Sequence, residues 1–191
     1  MSYPFRSYSP KRTCKKTFAN YNAYKPYLET DFCKKCGYTG CSQMWFGGKR
    51  AFQIDHLKPE SKYSELKNEY SNLVYCCSYV NRAKWDDDSP NYLDPCDVDY
   101  NNHFVRDDNG FIVAKTKQGK YMVEHMHLDL FRYAIIWNLD RLNERIKKLK
   151  AIVNPSQEVK DLKLEALEEF HKYFEYLRFH SISPLLIISA D

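Results

Sequence analysis

The chain has 191 residues, of which 43% are hydrophobic and 16% aromatic, and carries a formal net charge of +4. That length suits one domain, or one domain with an added helical layer, and buries a core without a disulfide scaffold; the aromatic content, with 16 tyrosines, excludes a disordered chain. A charge this small does not identify a nucleic-acid binder by itself, and no apolar run reaches membrane-spanning length.

Met1-Ser2-Tyr3-Pro4-Phe5-Arg6 lacks the apolar stretch of a secretory leader, so a cytoplasmic protein is expected. Its seven cysteines, an odd number, are then thiols or metal ligands. Residues 1–30 are basic and tyrosine-rich, and Pro4, Pro10 and Pro26 interrupt any long periodicity, which predicts an irregular arm with one short helix near Thr17–Leu28. Cys33-Lys34-Lys35-Cys36-Gly37 has the composition of a tight knuckle. Gly47-Gly48 marks a turn before a strand over Ala51–Ile54, and Pro59 ends regular pairing. Residues 57–71 are charged and loop-like. A second strand is predicted over Asn72–Cys76 and a short helix over Ser78–Trp85, closed by Asp86-Asp87-Asp88-Ser89-Pro90.

A polar connection follows over 89–110, in which Asp94, Asp97 and Asp99 lack the glycine and terminal glutamate of a calcium loop. Phe111-Ile112-Val113 and Tyr121-Met122-Val123, on either side of Gly119, predict a hairpin, with His125 and His127 on one face of a strand. Leu128, Phe131, Ile135, Leu139, Leu142, Ile146 and Leu149 recur at steps of three and four, one apolar face of a long helix. Asn154-Pro155-Ser156 breaks it, with Ser156 as cap of a second helix carrying Val159, Leu162, Ala166, Phe170, Phe174 and Leu177. The expected fold class is α+β, organised as a basic arm (1–30), a central unit (31–90), a connecting segment with a β-hairpin (91–126) and a C-terminal αα-hairpin (127–191).

Chemistry concentrates in the central unit. Ile54-Asp55-His56-Leu57-Lys58-Pro59, then Asn72-Leu73, then Asn81-Arg82-Ala83-Lys84 supply a carboxylate, an imidazole, two amides and several cations in a fixed order. Adjacent strand residues face opposite ways, so Asp55 and His56 serve one site only if the strand ends between them. Lys11-Arg12, Lys15-Lys16, Lys34-Lys35, Lys49-Arg50 and Lys147-Lys148 add local cationic clusters. The ordered set over residues 33–88 resembles the HNH endonuclease family, the ββα-metal nucleases. The resemblance implies that Asp55 and the side-chain carbonyl of Asn81 hold a divalent metal, Mg²⁺ or Mn²⁺. It also implies that His56 is the general base, that Asn72 supports the loop that aims it, and that Lys84, Arg82 and Lys58 meet phosphate. It implies hydrolysis of DNA phosphodiesters to 5′-phosphate and 3′-hydroxyl ends. By family association the setting is bacterial restriction or anti-phage defence, sometimes beside an ATPase-type partner subunit. The alternative is a nucleic-acid-binding module that keeps the ββα shape without the chemistry.

Many proteins of this family brace the unit with zinc held by two Cys-x-x-Cys pairs. Cys33 and Cys36 form the first; of the second only Cys77 is in register, and Val80 stands where a fourth ligand belongs. Structural zinc is almost always four-coordinate, so Cys41 or Cys76 must close the set, and Cys41 lies nearer the first pair. The other reading is that zinc is lost and Cys77 is a buried thiol.

Overall fold

The computed structural model describes residues 2–182, with side chains through residue 179. The chain divides into two compact units between Leu130 and Phe131.

In the first unit the strand β1 (Tyr3–Pro4) opens an arm that is irregular in backbone but firmly attached. Tyr8 donates from its hydroxyl to the Phe32 carbonyl at 2.7 Å, and Arg6 donates from Nη2 to the Pro95 carbonyl at 2.7 Å. Arg12 is paired with Asp94 at 3.0 Å. The helix α1 (Lys25–Asp31) has Pro26 in its first turn, where the missing N–H is no loss. At its other end Asp31 accepts from the Thr13 N–H and hydroxyl, both at 2.6 Å, and from the Tyr70 hydroxyl at 2.8 Å. Part of the basic arm is thus consumed in internal bonding and is not a free cationic surface.

The centre of the unit is the antiparallel pair β2 (Phe52–His56) and β3 (Leu73–Cys77), in register Asp55↔Val74 and His56↔Leu73. All five β3 residues are buried, whereas in β2 only Phe52 and Asp55 are, with Gln53 exposed and Ile54 and His56 half-buried, so β3 lies inside and β2 borders solvent. β3 passes directly into the helix α2 (Ser78–Lys84). The knuckle docks on β3 through the Gly37 N–H, which donates to the Tyr75 carbonyl at 2.8 Å.

The predicted hairpin is displaced. The strands β4 (Phe104–Arg106) and β5 (Ile112–Ala114) pair with each other, and β4 also pairs with β1. The turn is Asp107-Asp108-Asn109-Gly110: the Asp107 carboxylate accepts from the Asn109 and Phe111 N–H groups at 3.0 and 2.8 Å, and Gly110 supplies φ +91°. Residues 121–123 are not a strand; they belong to the helix α3 (Lys117–Met126), capped by the Thr116 hydroxyl on the Gly119 N–H at 3.1 Å. The expected strand placement of His125 and His127 is therefore corrected. His125 lies on α3, stacked on the Tyr121 ring at 3.7 Å, and His127 closes the helix at φ +51°.

The second unit is the pair α4 (Phe131–Lys150) and α5 (Gln157–Ile182), packed through Leu142, Ile146 and Ala166 with Phe170 and Tyr173 against them. Leu128 precedes α4 instead of opening it. Asn154 takes φ +52° in the link, and the Ser156 hydroxyl accepts from the Val159 N–H at 3.4 Å, a weak cap at the expected residue. No helix among the described residues is long and apolar enough to cross a membrane.

Gly119 sits in α3 for want of space, not for flexibility. A Cβ there would lie 2.7 Å from the His103 carbonyl oxygen and 3.3 Å from the Ala114 Cβ. Backbone cannot yield cheaply, so Gly119→Ala should destabilise by a net ~1–2 kcal/mol, overpacking outweighing the helix-propensity gain. Calorimetry should show a melting temperature lower by a few degrees; an unchanged or raised value would disprove the close approach.

Candidate active site

β2, the following loop and α2 bring four of the candidate residues, Asp55, His56, Asn81 and Arg82, to one cleft of about 580 Å³, bordered also by Gln53 and Trp85 among others. The strand does not end between Asp55 and His56, as the sequence reading required; it runs through His56. Both residues still border the cleft, which the consecutive residues Gln53 to His56 line; among the described residues β2 pairs with β3 alone.

Asp55 points inward and is 4% exposed. Its Oδ2 accepts from the Tyr38 hydroxyl at 2.5 Å and its Oδ1 from Lys84 Nζ at 3.2 Å. Burial raises the Asp55 carboxyl above its ordinary range, while the Lys84 ammonium and the Tyr38 hydroxyl act in the opposite sense. Lys84 also donates to the His56 carbonyl at 2.8 Å and lies over the Tyr92 ring. Its side chain is 0% exposed. The expectation that Lys84 meets a phosphate is corrected: its ammonium is enclosed and engaged with Asp55. The spacing after Asn81 that suggested a shared face instead turns Lys84 into the interior.

His56 is half-buried, its ring edge-on to Tyr21 at 4.7 Å. Nε2 lies 2.9 Å from the Lys67 carbonyl oxygen. A carbonyl only accepts, so Nε2 carries the proton and Nδ1 of the neutral ring keeps its lone pair. Asn72 governs the loop that supplies this carbonyl. Its Oδ1 accepts from the Lys58 N–H at 2.8 Å, and its Nδ2 donates to the carbonyls of Lys58 and Leu66 at 3.0 and 3.3 Å. One amide therefore joins the start of the loop to the residue just before Lys67.

Asn81 donates from Nδ2 to Gln53 Oε1 at 2.8 Å. That leaves Asn81 Oδ1 without a donor among the described residues. Arg82 is exposed at the cleft, its guanidinium 5.2 Å from the Tyr79 ring centroid. Lys58 is half-buried beside the Tyr63 ring and does not border the cleft.

Of the four cysteines that the zinc reading would use, only Cys36 and Cys77 are shown together, as free thiols sharing a hydrogen bond. Burial opposes the Cys36 thiolate, but hydrogen bonds from Cys77 and Thr39 outweigh it and bring that thiol to about 6. Cys33 is exposed at φ +51°. Cys41 is turned to the Thr39 carbonyl and to the buried guanidinium of Arg106, which itself donates to the Thr39 and Gly110 carbonyls at 2.5 and 2.9 Å. Among the described residues no group of three or more His, Cys, Asp or Glu side chains is arranged to hold a metal ion.

Sequence reasoning missed Tyr38, Tyr21, Gln53 and the Lys67 carbonyl. Gln53 was accessible, since it stands two residues before Asp55 on a strand. Tyr38 and Tyr21 are remote in sequence and carried no local signal, and a backbone carbonyl never does.

Residues 33–87 match the family model of the HNH endonucleases, a stretch that opens in the knuckle and closes just beyond α2. No match was found among curated proteins or among solved structures.

Two outcomes test this geometry. Lys84→Met strands a buried carboxylate and should lower the unfolding free energy by about 3 kcal/mol, largely restored when Asp55→Leu is added. A loss under ~0.5 kcal/mol in urea melts, ordinary for a surface lysine, would put Lys84 back at the surface. Protein purified without added zinc should contain well under one equivalent by elemental analysis; one full equivalent would show that the cysteines rearrange around the ion.

Proposed function

We propose that the HNH endonuclease domain at residues 33–87 cuts DNA by metal-dependent hydrolysis of phosphodiester bonds. The observation that carries this reading is the state of His56. Its Nε2–H is fixed on the Lys67 carbonyl, so the basic Nδ1 is the nitrogen left for chemistry, and the ring stands in the same cleft as Asp55 and Asn81. A general base needs that tautomer and a neutral ring.

In this reading His56 Nδ1 takes a proton from a water. The resulting hydroxide attacks phosphorus, the P–O3′ bond breaks, and the 3′ oxygen leaves and takes a proton from solvent. The product ends are a 5′-phosphate and a 3′-hydroxyl. Arg82, exposed at the rim, holds the phosphate. Lys84 opposes the effect of burial on the Asp55 carboxyl and, through the His56 carbonyl, ties the end of β2 to α2.

The donor set suits a hard divalent cation such as Mg²⁺ or Mn²⁺. Each Asp55 oxygen accepts one hydrogen bond and retains a second acceptor site, and Asn81 contributes a neutral amide oxygen. Asp55 and Asn81 would hold such an ion, which would supply positive charge to the phosphate.

The setting of restriction or anti-phage defence with an ATPase-type partner is the finer part of this proposal. What supports a protein partner is the run of exposed apolar side chains on α5, Leu164, Phe174 and Phe179. A binding module without chemistry would have no use for an imidazole of fixed tautomer.

His56→Ala should fold with an unchanged melting curve and lose at least about a hundredfold in plasmid nicking rate. EDTA should abolish cleavage by the wild type, and added Mg²⁺ or Mn²⁺ should restore it. Full nicking by His56→Ala would remove the imidazole from the mechanism, and full nicking in EDTA would remove the metal.

A further inference from the structure

Trp85 follows α2 directly and borders the cleft beside Asn81 and Arg82. Two observations about it have no explanation within the fold. The first is exposure: 76% of the residue is accessible, and neither its ring nor its indole N–H has a partner among the described residues. The second is backbone conformation. Trp85 has φ +50° and ψ −124°, a region that a bulky L-residue rarely adopts, held by a bond from its N–H to the Asn81 carbonyl at 3.0 Å. A strained backbone carrying a large apolar side chain into water is unfavourable twice over, and such residues gather at ligand sites.

The neighbouring groups indicate what reaches this ring. Arg82, one helical turn earlier, offers a cation at the cleft. Asp86, next to Trp85 in sequence, and Glu60 border the same cavity and disfavour a second anion there. The lining thus offers the Arg82 cation for a phosphate and, three residues on, an exposed indole suited to a flat, uncharged group. In a nucleic acid that group is a base. We infer that Trp85 stacks on a nucleobase next to the phosphate held at Arg82, drawing that base out of its regular stack and setting the register of the strand in the cleft. Trp85 is thus a positioning residue, sequence-tolerant because every base has a π-face. This rests on the nuclease reading for the identity of the ligand.

The test uses binding, so that it does not depend on cleavage. Full-length His56→Ala protein is titrated with fluorescein-labelled DNA duplexes and single strands in which one tetrahydrofuran abasic site is moved along the sequence. Affinity should fall roughly tenfold when the abasic site occupies one or two adjacent positions, and little elsewhere. Adding Trp85→Ala should weaken binding of intact DNA by about the same factor and erase the position dependence. Trp85→Phe should keep most of both, and Trp85→Gly, which also relieves the left-handed backbone, should behave as alanine while melting no lower than the parent. Equal sensitivity to abasic position with and without the indole would overturn the inference, as would unchanged affinity in Trp85→Ala or no binding of either DNA form. Loss of wild-type cleavage with the abasic pattern intact would count against the nuclease reading alone; cleavage without the pattern would count against Trp85 alone.

Discussion

The first unit is organised around a buried ion pair. Burying either Asp55 or Lys84 alone would cost several kcal/mol in lost solvation, so each is tolerable only with the other. Their partners come from separate parts of the chain: Asp55 from β2, Lys84 from α2 and Tyr38 from the knuckle. The pair forms only when β2 and α2 are together, and the Tyr38 hydroxyl adds a third segment to the same carboxylate. The pair also places a carboxylate at the cleft with each oxygen oriented by a fixed donor.

A second constraint acts on the imidazole. His56 is held from one side by the ring of Tyr21 and from another by the Lys67 carbonyl. The position of that carbonyl follows from the fifteen-residue loop between β2 and Asn72, which has no strand or α-helix of its own and would otherwise be free to wander. Asn72 closes it at two points with one side chain. The N-terminal arm contributes as well, since the Tyr21 N–H is tied to Asn68 Oδ1 at 2.9 Å, within the same loop. Residues distant in sequence therefore converge on a single property, which ring nitrogen carries the proton.

The knuckle is supported from the hairpin. Val80 stands where the resemblance would put a fourth zinc ligand, and the buried guanidinium of Arg106 lies beside Cys41. Arg106 reaches the knuckle from β4 and bonds to the carbonyls of Thr39 and Gly110. A fixed cation from the hairpin satisfies backbone acceptors that lie inside the unit, and the packing of Phe5, Tyr100 and Phe104 closes that side. The hairpin is thus part of the support of the ββα unit.

The sequence by itself determined the local elements whose signals are short in range. The strands around Ile54 and Val74, the helix after Ser78 and the two long helices follow from periodicity and from breakers such as Pro59 and Asn154-Pro155, and the ordered Asp-His, Asn and Asn motifs pointed to the HNH family. It misplaced the second hairpin because Gly119 looks like a turn glycine, while its real task is to let α3 approach the His103 carbonyl, a contact across the fold. It gave Lys84 to the phosphate because helical spacing reports which face a residue occupies, not whether that face is inside. Burial, and with it the pairing of Lys84 with Asp55, the placement of Arg106 beside Cys41, and the tautomer of His56, were decided only by tertiary structure, since each depends on groups far away along the chain.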